Sequence, residues 1–532
     1  MAELYHDTVR NLLVYRTKEP ERITRHIAAA KRLNGEIVTV PNTLWHCQLL
    51  RWLDLPIVPP MADYDWPCAP GIKPLDHQKL MANFMVSHPR CFNLSDMGTM
   101  KTLAALWAAD WLMQQYPKGE CRALIIAPLS ILQSVWGTAI ARNFLGRRTF
   151  EIIHGSQAAR IERLQRLADF YIINFDGVGV GAHTRKRFEL DGLSKCLAER
   201  PDIQLCVVDE ARNYHDSRTK RHRIAKMVFG DKPYLWFLTG TPTPNGPLDA
   251  YGQAKLVNNA FGESWTSYRN RVMAQITSFK WVPRAGANEA ARKLLSPAIR
   301  FDIRDVWDGP PITTQQRAVE LTVDQKKHMA ALKRDLMVEI GAGKTISAMN
   351  EAAVRAKFMQ ISLGAIYDSD HKWHPIDAGP RLSELKQVLR DAPGKVLIFV
   401  PLTSVVNLLY RELTDWSREI VNGETTAGNR QRIFGSFQQS DESNPRMLIA
   451  DPGCMAHGLD LWRARTVVWY GPTDKTELYL QANKRAHRPG QKYPVTVVQI
   501  VSTTLEKEIF RRLESNESLQ GALLQMVRQG KL

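Results

Sequence analysis

No Cys-x-x-Cys pair occurs in this sequence. Its seven cysteines, Cys47, Cys68, Cys91, Cys121, Cys196, Cys206 and Cys454, are odd in number and scattered. That argues against a zinc ribbon or a disulfide framework and points to a reducing compartment. No apolar run approaches the ~20 residues of a membrane span, and Met1 to Asp7 lacks a signal-peptide pattern. A cytoplasmic chain with no membrane partner is expected. Negative charge is in short supply: 54 Asp and Glu face 71 Lys and Arg, leaving +17. Such an excess serves either solubility or a polyanionic partner. With 44% hydrophobic and 23% charged residues the chain reads as globular. At 532 residues it exceeds one core, so three or four folding units are expected.

What is present begins with Asn93 to Leu106, an apolar lead-in, a Gly-containing turn, Lys-Thr and an apolar helical run. A phosphate-binding loop reads this way. Asp96, Met97, Gly98, Thr99 and Met100 would present backbone N–H groups to phosphates, Lys101 would reach the outer ones, and the Thr102 hydroxyl would hold magnesium. Met100 stands where such loops usually carry Gly. Upstream, Gln78 sits at the start of a predicted helix, where its carboxamide suits an adenine edge or simply a surface position.

Apolar strands are predicted at Ala123–Ala127, Tyr171–Phe175 and Leu205–Val208, with another at Leu235–Leu238. The third ends on Asp209-Glu210-Ala211-Arg212. Asp209 there can hold magnesium while Glu210 orients an attacking water. Polar residues at successive strand ends describe an open α/β sheet with its site along that edge. A second α/β half begins near Arg381, with strands at Lys395–Val400, Met447–Asp451, Thr466–Trp469 and Val495–Ile500. Within it, Gln481, Arg485 and Arg488 recur at near-helical spacing, placing two guanidiniums on one face. Without a local carboxylate they need an outside anion, as arginine fingers do.

The first 70 residues form a small unit: a strand over Arg10–Tyr15, a basic helix over Glu21–Leu33, a strand over Glu36–Val40 and a helix over Thr43–Leu53. The basic helix is either a solvated face or an accessory nucleic-acid grip. Dense prolines from Leu55 to Pro74 mark a linker. Between Ala250 and Pro380, Trp265, Tyr268, Phe279, Trp281 and Trp307 interleave with Arg269, Arg271, Lys280, Arg284, Arg292 and Lys293. That pattern suits packed helices with basic outer faces or a nucleic-acid surface. A helix is expected over Asp324–Met337. Gly341-Ala342-Gly343-Lys344-Thr345 mimics a phosphate loop but follows a charged helix instead of a buried strand, and reads as a turn. His371-Lys372-Trp373-His374 lacks further ligands for a metal.

Taken together these motifs resemble the superfamily 2 helicases, and within them the SWI/SNF-type DNA translocases, especially compact phage and bacterial forms. The resemblance runs from Pro74 to Leu513. Gln78 is similar to the adenine-reading Gln, Met97 to Thr102 to motif I, and Asp209 to Arg212 to the DEAH/DEAD box. Thr239-Gly240-Thr241-Pro242 resembles motif III, Gly458 to Leu461 motif V, and Gln481 to Gln491 motif VI. The resemblance implies two RecA-like parallel-sheet lobes with helical insertions and a small N-terminal α+β domain. It places an accessory unit at 1–70, lobe 1 at 71–255, insertions at 256–380, lobe 2 at 381–513 and a tail at 514–532. It implies ATP and Mg2+ as cofactors, with Gly458 and Asp460 among the nucleotide contacts, and catalysis by Lys101, Asp209, Glu210, Arg485 and Arg488. The implied partner is duplex or branched DNA, RNA being the weaker alternative, and a monomer is favoured. Two departures, Met100 and Arg212, point to an active but slow ATPase, or to an ATP-binding DNA clamp with little turnover. A restriction-type subunit lacks support, since no nuclease motif accompanies the lobes.

Overall fold

The structure, a computed structural model, describes residues 2–182, 189–277, 280–341, 348–367, 373–455 and 461–515. The chain divides after Val306 into two compact units.

The first unit opens with an antiparallel sheet of β1 (Glu3–Asp7), β2 (Leu12–Arg16), β3 (Lys31–Asn34) and β4 (Ile37–Pro41), in the order β1-β2-β4-β3. Alternate residues Leu13, Tyr15, Val38 and Val40 are buried beneath the helix Leu44–Trp52 through Cys47 and Leu50. The basic helix expected over 21–33 is a single turn, Glu21–Thr24. Lys31 and Arg32 instead pair with Thr39 and Val38 of β4, so cross-strand pairing overrides local helical preference.

The proline-rich stretch after Leu55 is packed rather than loose. The Trp107 indole donates to Pro67 O at 2.7 Å, and Met61 N to Asn83 Oδ1 at 3.0 Å. Asp110, fully buried on the helix Lys101–Gln114, accepts from Tyr64 Oη (2.6 Å), Arg147 Nε (2.8 Å) and Arg148 Nε.

A seven-stranded, wholly parallel sheet follows. Its strands are β5 (Arg90–Asn93), β6 (Arg122–Ala127), β7 (Phe150–Ile153), β8 (Phe170–Asn174), β9 (Ile203–Asp209) and β10 (Tyr234–Leu238), closed by β13 (Ala298–Ile299) after a hairpin of β11 (Met273–Thr277) and β12 (Lys280–Pro283). The order is β13-β5-β10-β9-β6-β8-β7. Helices cover both faces, so strands such as β8 and β10 are buried along their whole length. Residues 256–306 belong to this lobe: Tyr268, Val272, Ala291 and Leu294 join its core, and β13 pairs with β5. Several of the aromatic and basic residues there take part in packing, while Arg292 and Lys293 are exposed. Arg269 lies 4.5 Å over the Trp281 ring, Arg271 pairs with Glu263 at 2.7 Å, and Arg284 Nε donates to Met273 O at 2.9 Å. Phe279 lies outside the described residues.

The second unit holds a six-stranded parallel sheet, ordered β14-β21-β20-β17-β19-β18. These are β14 (Ile312–Ala318), β17 (Lys395–Phe399), β18 (Arg418–Val421), β19 (Met447–Ala450), β20 (Ala464–Trp469) and β21 (Val495–Val501). Helices Val323–Gly341 and Ala348–Leu363 and a hairpin of β15 (Ala365–Tyr367) and β16 (Trp373–Pro375) stand between β14 and β17. A buried ion pair joins the helix Gly379–Asp391 to the helix Thr504–Glu514, and Ser362 ties the helix Ala348–Leu363 to it. Arg381 Nη2 donates to Glu506 at 2.7 Å, Arg381 Nη1 to the carbonyls of Ile500 (3.0 Å) and Tyr470, and Ser362 Oγ to Glu506 at 2.6 Å. The loop mimic at 342–345 and His371 lie outside the described residues. Among the described residues no His, Cys, Asp or Glu cluster could hold a metal, and no helix is long and apolar enough to cross a membrane.

Removing the Asp110 carboxylate leaves the buried Tyr64 hydroxyl without its acceptor and takes one of two carboxylate partners from Arg147 and Arg148, which keep Asp65 and Asp169; such a loss typically costs ~1–3 kcal/mol. Asp110→Ala is therefore expected to lower the urea midpoint of the first unit sharply, and Asp110→Asn less so.

Candidate active site

Register places the site. Leu238 of β10 stands level with Asn93 of β5 on one side and Asp209 of β9 on the other. The segments that leave these three strand ends, Leu94–Met100, Thr239–Pro242 and Glu210–Arg212, therefore emerge side by side at the carboxyl edge.

The loop after β5 runs into the helix Lys101–Gln114, whose first N–H groups and dipole favour an anion. Lys101 Nζ donates to the carbonyls of Ser95 (2.6 Å) and Asp96 (2.8 Å). Thr99 Oγ1 donates to Asp96 O at 2.8 Å, closing the turn. The Asp96 carboxylate lies 3.7 Å from the Arg300 guanidinium. Thr102 is half-buried on the helix's second position. Gly240 explains its own identity: a Cβ there would sit 3.1 Å from Met97 N, covering a donor of the loop.

Met100 adopts φ 58°, ψ 39°, the left-handed region, and its side chain is exposed. A non-Gly residue there is strained by roughly 1–2 kcal/mol. Gln78 is buried. Its Oε1 accepts from Leu75 N at 3.0 Å, closing a helix cap, and its Nε2 approaches Met100 O at 3.5 Å. In this structure Gln78 braces the loop. His77, which the sequence left unremarked, does the same through a contact with Thr99 O at 3.2 Å.

Asp209 ends β9. Burial pushes its carboxyl up to about 6, with the Glu210 charge adding to the rise and the Lys101 charge opposing it. Its Oδ2 accepts from the Trp136 indole at 3.0 Å, and its Oδ1 from Glu210 N at 3.0 Å. Glu210 is also left-handed (φ 55°). Glu210 Oε2 is buried, makes no hydrogen bond among the described residues, and lies 3.4 Å from Arg212 Nε. Burial lowers the Arg212 guanidinium, against the pull of Glu210 and Asp249. An ammonium, a hydroxyl, two carboxylates and a loop backed by a glycine fit a triphosphate with its magnesium. The carboxylate oxygen without a donor fits a water.

In the second unit the helix Thr476–Ala486 carries Gln481 and Arg485, both buried. The helix stops at Ala486, ahead of Pro489, so Arg488 does not continue its face as the spacing suggested. Arg488 follows the helix and is half-buried. Gln491 pins the turn, donating to the carbonyls of Trp462 (2.6 Å) and Ala464 (2.8 Å). Gly458 and Asp460 lie outside the described residues.

Two outcomes test this geometry. Met100→Gly relieves the loop and is expected to raise thermal stability by about 1 kcal/mol, read by calorimetry. For Asp209, the folded protein holds a proton more tightly than the unfolded chain, so nucleotide-free stability falls as pH rises from about 4 to 6. Asp209→Asn removes that loss: its melting temperature should exceed the parent's at pH 7 and match it near pH 4.

Residues 77–308 match the SNF2-related domain and residues 380–490 the helicase conserved C-terminal domain. Protein p41 of Acyrthosiphon pisum secondary endosymbiont phage 1 is 25% identical over 86% of this chain and 98% of its own length. The SWI/SNF-related matrix-associated actin-dependent regulator of chromatin subfamily A-like protein 1 of Xenopus tropicalis is 23% identical over 81% of this chain, which spans only 43% of that protein. A solved Sulfolobus solfataricus SWI2/SNF2 ATPase core in complex with dsDNA is 18% identical, covering 87% of this chain and 95% of its own, with a TM-score of 0.39. The fold assignment rests on the two parallel sheets. With both domains in family order and together covering well over half of its length, the chain belongs to the SNF2-type helicases of superfamily 2.

Proposed function

We propose that this chain is a DNA-stimulated ATPase that moves along duplex or branched DNA. The observation that carries the reading is the level triplet of strand ends, which sets Lys101, the Asp209–Glu210 pair and Gly240 around one loop in an SNF2-related domain. Magnesium ATP, when bound, supplies the phosphoanhydride whose hydrolysis drives the cycle. Lys101 exchanges its two carbonyl partners for phosphate oxygens. Thr102 and Asp209 would hold the cation and Glu210 would orient the attacking water, while Gln78, engaged with Leu75 N and Met100 O, would reach an adenine edge only by giving up one of these contacts. Arg485 and Arg488 of the C-terminal domain offset the negative charge that develops during transfer. The excess of +17 supports a phosphate backbone as the track, and the N-terminal unit adds a grip on branched DNA. The phage relative supports a setting in the cytoplasm of a bacterial host.

A slower cycle, tending toward an ATP-loaded clamp, is favoured by one ion pair: the Arg212 guanidinium lies 3.4 Å from the carboxylate that would orient water.

Phosphate release measured with duplex, forked, four-way and single-stranded DNA and with RNA tests the reading. Duplex or branched DNA should stimulate most. Lys101→Ala and Glu210→Gln should each abolish stimulated hydrolysis while DNA binding persists. Arg488→Ala should cost ~10³–10⁵ in rate. Intact hydrolysis in the first two variants, or stimulation by RNA alone, overturns it.

A further inference from the structure

Trp136 is fully buried, and its one polar atom is spent on the site: Nε1 donates to Asp209 Oδ2 at 3.0 Å. A buried indole usually finds a backbone carbonyl; this one finds the carboxylate at the end of β9. The residue comes from another strand's exit. β6 neighbours β9 in the sheet, with Ile126 level with Val208. The chain leaving β6 makes a 3₁₀ turn over Leu129–Ile131, a π-helical turn over Leu132–Gly137, then the helix Thr138–Asn143. Single π turns are rare and frequent at functional sites. The path is tightly set. A Cβ at Gly137 would lie 3.1 Å from the Phe150 ring and 3.2 Å from Gln133 Nε2.

Asp209 Oδ1 is engaged as well, by Glu210 N at 3.0 Å. Each carboxylate oxygen thus takes one donor and keeps a lone pair. The two donors fix rotation about Cβ–Cγ without consuming the acceptor capacity that a cation needs. We propose that Trp136 is a positioning residue for the cation site, its indole N–H holding the Asp209 carboxylate in the orientation that receives magnesium. The proposal rests on the assignment of Asp209 as a magnesium carboxylate. Outer-shell hydrogen bonds of this kind typically contribute about 10–100-fold to metal affinity.

The test titrates the full chain with a fluorescent ATP analogue at a series of Mg2+ concentrations, including none. Trp136→Phe keeps most of the ring volume and removes the N–H. It should need about tenfold more Mg2+ to reach half-maximal tightening, with affinity in the absence of Mg2+ unchanged. A magnesium dependence equal to the parent's overturns the proposal. So does an equal loss with and without Mg2+, which marks a packing role only. Should the Phe variant fail to fold, 3-benzothienylalanine at position 136, with sulfur in place of N–H, is read by the same two criteria. Asp209→Asn separates the two readings. If it leaves the magnesium dependence untouched, the cation assignment fails, whatever Trp136 does.

Discussion

Three residues standing level across three adjacent strands, Asn93, Leu238 and Asp209, are the constraint on which the first lobe's chemistry depends. In a parallel sheet every strand ends at the same edge, but only register decides which residues meet there. A one-residue slip of β9 would turn the Asp209 side chain to the opposite face. Register here is enforced by burial on both faces: β10 is buried throughout, and Cys206, Val207 and Val208 of β9 contribute to the two layers of core. The apolar interior thereby sets the position of charges that contribute nothing to its stability.

The same edge concentrates unfavourable terms. Met100 and Glu210 are both left-handed, and Asp209 is desolvated beside a second carboxylate. Each would relax in a looser structure, and strain of this kind persists only where its surroundings over-determine it. The pinned proline-rich segment and the Asp110 cluster anchor the helix that carries Lys101. In the second unit, the Arg381–Glu506 pair holds the helix Ala348–Leu363 through Ser362.

Much of this was legible in the sequence, for a physical reason. Strands buried on both faces are continuous apolar runs, so 171–175 and 395–400 are visible without context. β14 was not: Ile312 to Ala318 is polar and exposed, and it is a strand because it pairs residue by residue with β21. The helix expected over 21–33 does not form beyond its first turn, because its second half pairs with the edge of β4. The functional motifs stood out through rare residue combinations, whereas their partners did not. Trp136 lies 73 positions from Asp209, and a π turn removes it from any helical periodicity. Arg488 lies two residues beyond the end of its helix, because spacing alone does not reveal where a helix stops.

The two carbonyls around Lys101 carry one further consequence. The ammonium group occupies the cradle it serves, as a placeholder, its charge already satisfied by Ser95 and Asp96. An incoming anion must outcompete these partners before it gains anything, and a single phosphate brings few oxygens to that exchange. A longer phosphate chain brings more, while also reaching the helix N-terminus. On the proposed reading, the loop therefore selects against nucleoside monophosphates.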